Sequence, residues 1–263
     1  MQNAAMAALG LNWRYLAFDV DPNRLREAIA GAATMGFVGL NLTVPHKLLA
    51  LEMVDELDRS ARDWGAVNTI RFEGEAKEIR SIGFNTDADA IVQSLEEDLG
   101  FVPKGKRILI VGAGGAGRVA ALRLAAGGAA ELFLVNRTQS KASEVSHEIQ
   151  QRFPGVKTAT DYPQGKVDLL LNATSLGLRA DDALPVDTSK FPLANAAAVY
   201  DMIYRPAETP LLRAAKAAGC RTANGLGMLL HQGAKALELW SGQKPPITVM
   251  RDALVRNIYG TPV

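Results

Sequence analysis

Residues 107–126 read RILIVGAGGAGRVAALRLAA, a strand, a glycine turn and a helix in unbroken succession. The apolar run Ile108-Leu109-Ile110-Val111 suits a strand buried on both faces, as in a parallel sheet. Gly112, Gly114 and Gly117 satisfy G-x-G-x-x-G, with Ala113, Gly115 and Ala116 between them. Alone, that spacing is a weak signal. Between a strand and a helix it carries a mechanism. The first glycine allows the tight turn, the second admits a pyrophosphate to the backbone, and the third lets the helix lie close on the sheet. Free N–H groups at the helix N-terminus then hold phosphate. The stretch predicts a Rossmann-type dinucleotide domain.

The end of the next strand, ELFLV, selects the dinucleotide. An NAD site would place Asp or Glu about 20 residues on, to accept from the ribose 2′-hydroxyl. Here Asn136-Arg137-Thr138 stands in that place, with Lys141 one turn later. No acid repels an extra phosphate, and a guanidinium grips one bidentately. The expected cofactor is NADP.

A chain of 263 residues predicts one large or two ordinary domains. Hydrophobic residues make up 48% and charged residues 22%, enough apolar content for a full core. A formal net charge of +1, with no block of like charge, points away from nucleic acid. The single cysteine, Cys220, excludes an intrachain disulfide and suits a reducing compartment. His46, His147 and His231 share no ligand spacing, so no metal is expected. No stretch reaches the ~18 apolar residues of a membrane span. The opening MQNAAMAALGLNW lacks a basic n-region and reads as a buried helix rather than a leader. A cytoplasmic protein is expected.

Along the chain, YLAFDV (15–20) and FVGLNLTV (37–44) read as strands, and residues 22–36 as a helix closed by Gly36. NTIRFEGEAKEIRSIGFN (68–85) reads as a hairpin turning near Glu73-Gly74-Glu75, and Asp87 opens a helix to Leu99. GFVPKGK (100–106) marks a boundary. Beyond it come strands at VDLLLNA (167–173), AAAVYDMI (196–203) and Arg221-Thr222-Ala223, a helix at 210–219 and two terminal amphipathic helices. The class is α/β in two domains, the first with a mostly parallel sheet. Residues 1–102 plus 229–263 form the substrate domain and residues 103–228 the dinucleotide domain, the C-terminal helices returning to the first.

NLTVPHK (41–47) carries a further signal. Pro45 suits the first turn of a helix, and KLLALEMVDELDR continues it with Leu48, Leu51 and Leu57 at helical spacing. Lys47 then sits in the first turn, where a cation is disfavoured by roughly 0.3–1 kcal/mol. Asp87 sits near a helix start, where an acid is favoured. Oxidising a secondary alcohol needs hydride to leave carbon and a proton to leave oxygen, and an amine beside the hydroxyl relays that proton. The residues leave open whether Lys47 is the base or a charged donor with Asp87 as the base.

With NLTVPHK, GAVNT, NTD, VGAGGAG, NRT, NATS, YDMIY-x-P-x-x-T and NGLGMLLHQ in this order, the whole chain resembles the shikimate dehydrogenase family. The resemblance implies two α/β domains across a cleft and reversible, NADP-dependent reduction of 3-dehydroshikimate to shikimate in aromatic amino-acid biosynthesis. It implies a catalytic pair at Lys47 and Asp87, and substrate hydroxyl contacts at Thr43, Asn68, Asp87 and Gln232, with Tyr204 framing the ring. Cofactor contacts are implied at the glycine turn, at Asn136, Arg137 and Thr138, at Asn172-Ala173-Thr174 and at Gly225.

Some positions depart from the family pattern. The resemblance implies a strand and a carboxylate-binding serine pair ahead of Met1. Without them the first sheet is expected to carry an unpaired edge and the carboxylate to be held weakly. Ala88 and Ala90 replace the glycines of N-T-D-G-x-G, and Leu178 replaces a methionine. Quinate or quinate/shikimate dehydrogenase is the neighbouring enzyme reading. A non-catalytic NADP-binding relative is the reading from another class.

Overall fold

The structure is a computed structural model that describes residues 1–74 and 78–260. The chain forms two compact units, one from Met1–Ala88 and Leu230–Val263, the other from Asp89–Leu229.

The first unit opens with α1 (Gln2–Ala8), α2 (Leu25–Thr34), β1 (Gly39–Asn41), α3 (His46–Leu49), β2 (Glu56–Leu57) and α4 (Arg59–Trp64). The hairpin strands β3 (Thr69–Glu73) and β4 (Arg80–Phe84) follow, and α5 (Asp87–Leu99) leads into the second unit. The second unit then runs β5 (Arg107–Val111), α6 (Gly115–Ala126), β6 (Glu131–Val135), α7 (Gln139–Arg152), β7 (Lys157–Ala159), β8 (Leu169–Asn172), β9 (Ala198–Asp201), α8 (Pro210–Ala217) and β10 (Arg221–Asn224). Next come α9 (Leu226–Ser241), most of which belongs to the first unit, and α10 (Ile247–Tyr259), which packs against α1.

The second unit's sheet has strand order β10-β9-β8-β5-β6-β7, with every pairing parallel. Chain direction across the sheet reverses between β5 and β8. In such sheets ligands bind beyond the carboxyl ends of the strands at that reversal. Leu109, Leu170, Val199 and Phe191 are among the apolar side chains packed beneath it.

The first unit's sheet has order β1-β3-β4-β2. It is mixed where a mostly parallel sheet was expected. β3 pairs antiparallel with both β1 and β4, because the hairpin sits in the middle, and only β2 with β4 is parallel. The expected hairpin turn includes Glu75, which lies outside the described residues. Leu25, Ile29, Ala50, Ala61, Val67 and Ile70 form the core on this sheet.

Some expected elements take another form. Tyr15–Val20 is not a strand. An extended segment becomes a strand only by ladder bonds to a neighbour, and none is found for it among the described residues. The strand expected over 37–44 shortens to Gly39–Asn41. The long helix expected after Pro45 stops at Leu49, passes through a single 3-10 turn over Ala50–Glu52, and gives way to β2. Two acids break it. Asp55 accepts from the Ser81 amide and hydroxyl, each at 2.7 Å, and Asp58 caps α4 through the Ser60 amide at 2.8 Å. Aspartates that find such local donors favour turns and caps over helix interiors. Among the described residues, no helix is long and apolar enough to cross a membrane.

Candidate active site

Lys47 and Asp87 meet in the first unit. Lys47 Nζ donates to Asp87 Oδ2 at 2.7 Å, with the lysine side chain 26% exposed and the aspartate 11%. This resolves the misplaced cation. α3 is a single turn, so its dipole is small, and a carboxylate neutralises the amine directly. Asp87 is free to do so because it is not the cap of its helix. Asn85 caps α5 instead, its Oδ1 accepting from the Ala88 amide at 3.0 Å while its Nδ2 donates to the Ala66 carbonyl.

Around the pair lies a mesh of side-chain amides and hydroxyls. Asn68 is 1% exposed. Its Nδ2 donates to Thr86 Oγ1 at 2.9 Å and its Oδ1 accepts from the Thr86 amide at 2.8 Å. That two-point grip fixes the residue before Asp87 and satisfies a buried amide that would otherwise be expensive. Asn41 continues the mesh, donating to Thr69 Oγ1 and accepting from the Tyr15 hydroxyl. Burial pushes the Tyr15 phenol up. Thr43 is exposed on the turn before α3 and does not cap it, since α3 has no side-chain cap. Gln232 is half-buried on α9, and Tyr204 is exposed on the segment after β9.

The second unit presents its own site at the β5–β8 reversal. Gly112 adopts φ +105, and a Cβ there would stand 2.9 Å from the Ala173 carbonyl. At Gly117 a Cβ would come within 2.0 Å of the Gly112 carbonyl oxygen, so only glycine lets the helix approach this closely. Gly114 is the N-cap of α6 and contributes no side-chain cap, leaving the first amides of Gly115, Ala116 and Gly117 for an anion. Asn136 Oδ1 accepts from the Ala113 amide at 3.0 Å, and its Nδ2 donates to the Thr138 carbonyl. Asn136 thus braces the glycine turn against the turn that carries Arg137 and Thr138. Asn172 Oδ1 accepts from the Thr174 amide and hydroxyl at 3.0 and 2.8 Å. A Cβ on Gly225 would lie 2.1 Å from the Met202 carbonyl oxygen. Arg137 and Lys141 are exposed at the end of β6, with no acid among residues 136–141. A cradle closed to side chains, with two cations beside it, fits a dinucleotide carrying an extra phosphate.

Comparison with known proteins bears on both sites. The profile described as the shikimate dehydrogenase substrate binding domain matches residues 1–70. That of shikimate / quinate 5-dehydrogenase matches residues 95–176, and the shikimate 5'-dehydrogenase C-terminal domain matches residues 225–255. A shikimate dehydrogenase (NADP(+)) of Geobacter metallireducens is 44% identical over 259 residues, spanning 95% of this chain and 88% of its own. The chain belongs to the shikimate dehydrogenase family. Solved structures share the architecture. A shikimate dehydrogenase crystallised with NADP+ superposes with a TM-score of 0.88 at 40% identity, over 98% of this chain and 89% of its own. A 5-ketofructose reductase of Gluconobacter sp. strain CHM43 gives 0.83 at 36% identity, over 98% and 92%.

Sequence reasoning overlooked the braces. Asn41, Thr69, Asn85 and Thr86 brace the segments that carry Lys47 and Asp87, yet only Asp87 of the N-T-D run was singled out. The signal was there. A polar residue at a strand end, where neighbours are apolar, must be buried with a partner.

Proposed function

We propose that this chain catalyses the reversible, NADP-dependent reduction of 3-dehydroshikimate to shikimate, serving aromatic amino-acid biosynthesis. The observation that carries the reading is the Lys47–Asp87 ion pair at 2.7 Å, set in a mesh of hydroxyl-binding amides. Bound NADPH supplies the hydride. Asp87 holds Lys47 Nζ in place through their 2.7 Å hydrogen bond. As the carbonyl oxygen gains charge, Lys47 Nζ stabilises it and delivers the proton that completes the alcohol. In the oxidative direction the same amine receives the hydroxyl proton. Thr43, Asn68 and Gln232 bind the ring hydroxyls, and Tyr204 frames the ring. The amides of Gly115, Ala116 and Gly117 hold the pyrophosphate over the turn made by Gly112, Ala113 and Gly114, with Asn136, Asn172, Ala173, Thr174 and Gly225 along the cofactor. Arg137, Thr138 and Lys141 take the 2′-phosphate.

The enzyme works in the cytoplasm, as a monomer or homodimer, on a small-molecule substrate. Its single cysteine, unpaired and half-buried, suits that reducing setting.

The test is formation of reduced cofactor at 340 nm from shikimate or quinate, with NADP or NAD. Turnover of shikimate with NADP is expected. Turnover of quinate with NAD would replace the reading with the quinate enzyme, and cofactor binding without turnover would replace it with a non-catalytic relative.

A further inference from the structure

Asp201 closes β9 and is 0% exposed. Buried carboxylates are normally matched by a cation or a metal. Every partner described for Asp201 is neutral. Its Oδ1 accepts from Asn172 Nδ2 at 2.9 Å and from the Ile203 amide at 3.1 Å, and its Oδ2 accepts from Thr209 Oγ1 at 2.6 Å. Burial pushes its carboxyl up, and these donors pull back. A group so unfavourable to bury implies a task that an apolar residue would not perform.

Two of the three donors, Asn172 and Ile203, lead to segments already placed at the cofactor. Asn172 shapes the turn after β8 through Thr174, and its Nδ2 also donates to the Leu176 carbonyl at 3.2 Å. That turn lies directly on the glycine turn, since Ala173 blocks any side chain at Gly112 and its Cβ would stand 3.2 Å from one at Gly117. Ile203 lies on the segment after β9, and its carbonyl accepts from the Gly225 amide at 3.2 Å. Gly177 packs on Ile203 and Thr209, where a Cβ would meet both at 3.3 Å. The carboxylate therefore bonds the turn after β8 to the segment after β9, and through these two it reaches the glycine turn and the start of α9.

We propose that Asp201 is a positioning residue for the cofactor, locking the turn after β8 to the segment after β9 so that Ala173, Thr174 and Gly225 are presented together. This rests on the reading of the second unit as an NADP site. The Thr209 bond serves a separate end, because Thr209 Oγ1 also accepts from the Leu212 amide and caps α8.

The experiment compares Asp201→Ala, Asp201→Asn and Thr209→Val in the full chain, measuring NADP Kd by titration, KM for NADP and for shikimate, and melting temperature. Asp201→Ala is expected to raise NADP Kd and KM about tenfold, the equivalent of one charge-assisted hydrogen bond, with KM for shikimate within about twofold. Asp201→Asn, which keeps an acceptor toward Asn172 and Ile203, restores Kd to within about threefold. Thr209→Val lowers the melting temperature and leaves Kd unchanged. Unaltered Kd in folded Asp201→Ala, or an equal rise in Thr209→Val, overturns the proposal. In the unmodified chain, saturating NADP slows amide exchange at Thr174 and Ile203 while Leu212 keeps its free rate. No slowing at either amide also overturns it, whether or not the variants fold. If the unmodified chain does not bind NADP, the cofactor reading falls. The brace is then judged by exchange in the free protein, where unaltered rates at Thr174 and Ile203 in Asp201→Ala sink it.

Discussion

The two units solve one problem by opposite means. In the second, six parallel strands are covered on both faces, and Ile108, Leu109, Leu132, Leu169 and Leu170 are fully buried. Its site residues stand on loops at the strand ends, carried by a rigid apolar frame. The first unit has four short strands, and every residue of β1 is partly exposed. Its site is held by side-chain hydrogen bonds, from Tyr15 through Asn41 and Thr69, and through Asn68 to Thr86 and the Lys47–Asp87 pair. Burial stabilises one site and polar connection fixes the other. The second unit should therefore fail through packing, the first through lost hydrogen bonds and charge.

The largest effect tests the packing side. Leu109→Ala empties the centre of the parallel sheet and is expected to cost about 2–5 kcal/mol, read as a lower denaturant midpoint. A loss below about 1 kcal/mol would show that the frame does not depend on its apolar centre. On the polar side, Lys47→Ala is expected to lower kcat by about 10²–10⁴-fold, the range of a general acid–base group, with KM for shikimate nearly unchanged. A change confined to KM would remove the lysine's chemical role.

Asn68→Ala comes next, at about 1–3 kcal/mol for a buried amide network left unpaired, with a fall in kcat because Asp87 loses its brace. Stability lost without any change in kcat would detach the mesh from catalysis. The acid limb separates the units further. Donors from Ser81 hold the Asp55 carboxyl below its usual range. Its stabilising contribution is therefore complete above the ordinary aspartate range and is lost as pH falls through the depressed value. Below about pH 4, Asp55→Asn should flatten the pH dependence of the first unit's unfolding, followed by urea melts across acid pH. An unchanged slope would show that the Ser81 contacts do not form in solution.

These contrasts also explain what the sequence disclosed. The second unit was legible almost strand by strand, because buried strands are continuous apolar runs and the glycine spacing has one structural use. Lys47 and Asp87 were legible as residues, and the resemblance paired them, but the local pattern alone did not announce their 2.7 Å contact. It depends on Asn85 taking over the helix cap, which no local pattern announces. Leu48, Leu51 and Leu57 fit a helical period, yet Asp55 and Asp58 overrode it by bonding forward to Ser81 and Ser60. YLAFDV had the composition of a strand without a partner to make it one. Asp201 read as one more residue of the strand expected over 196–203, since its donors from Asn172, Ile203 and Thr209 converge on it only in the fold.

The smallest effect concerns the surface that the first unit leaves uncovered. Leu16 is 66% exposed, Phe18 62% and Val44 72%, and β1 pairs only with β3 among the described residues. Exposed apolar side chains and an open strand edge each favour association between copies. Leu16→Lys puts a charge there and removes little packing, so stability should stay within about 0.5 kcal/mol while light scattering on heating decreases. The equivalent change at a buried position of the second unit, Leu170→Lys, would unfold it. If Leu16→Lys instead lowered the melting temperature by several degrees, Leu16 would belong to a packed core, and the contrast between an open polar unit and a closed apolar one would have to be redrawn.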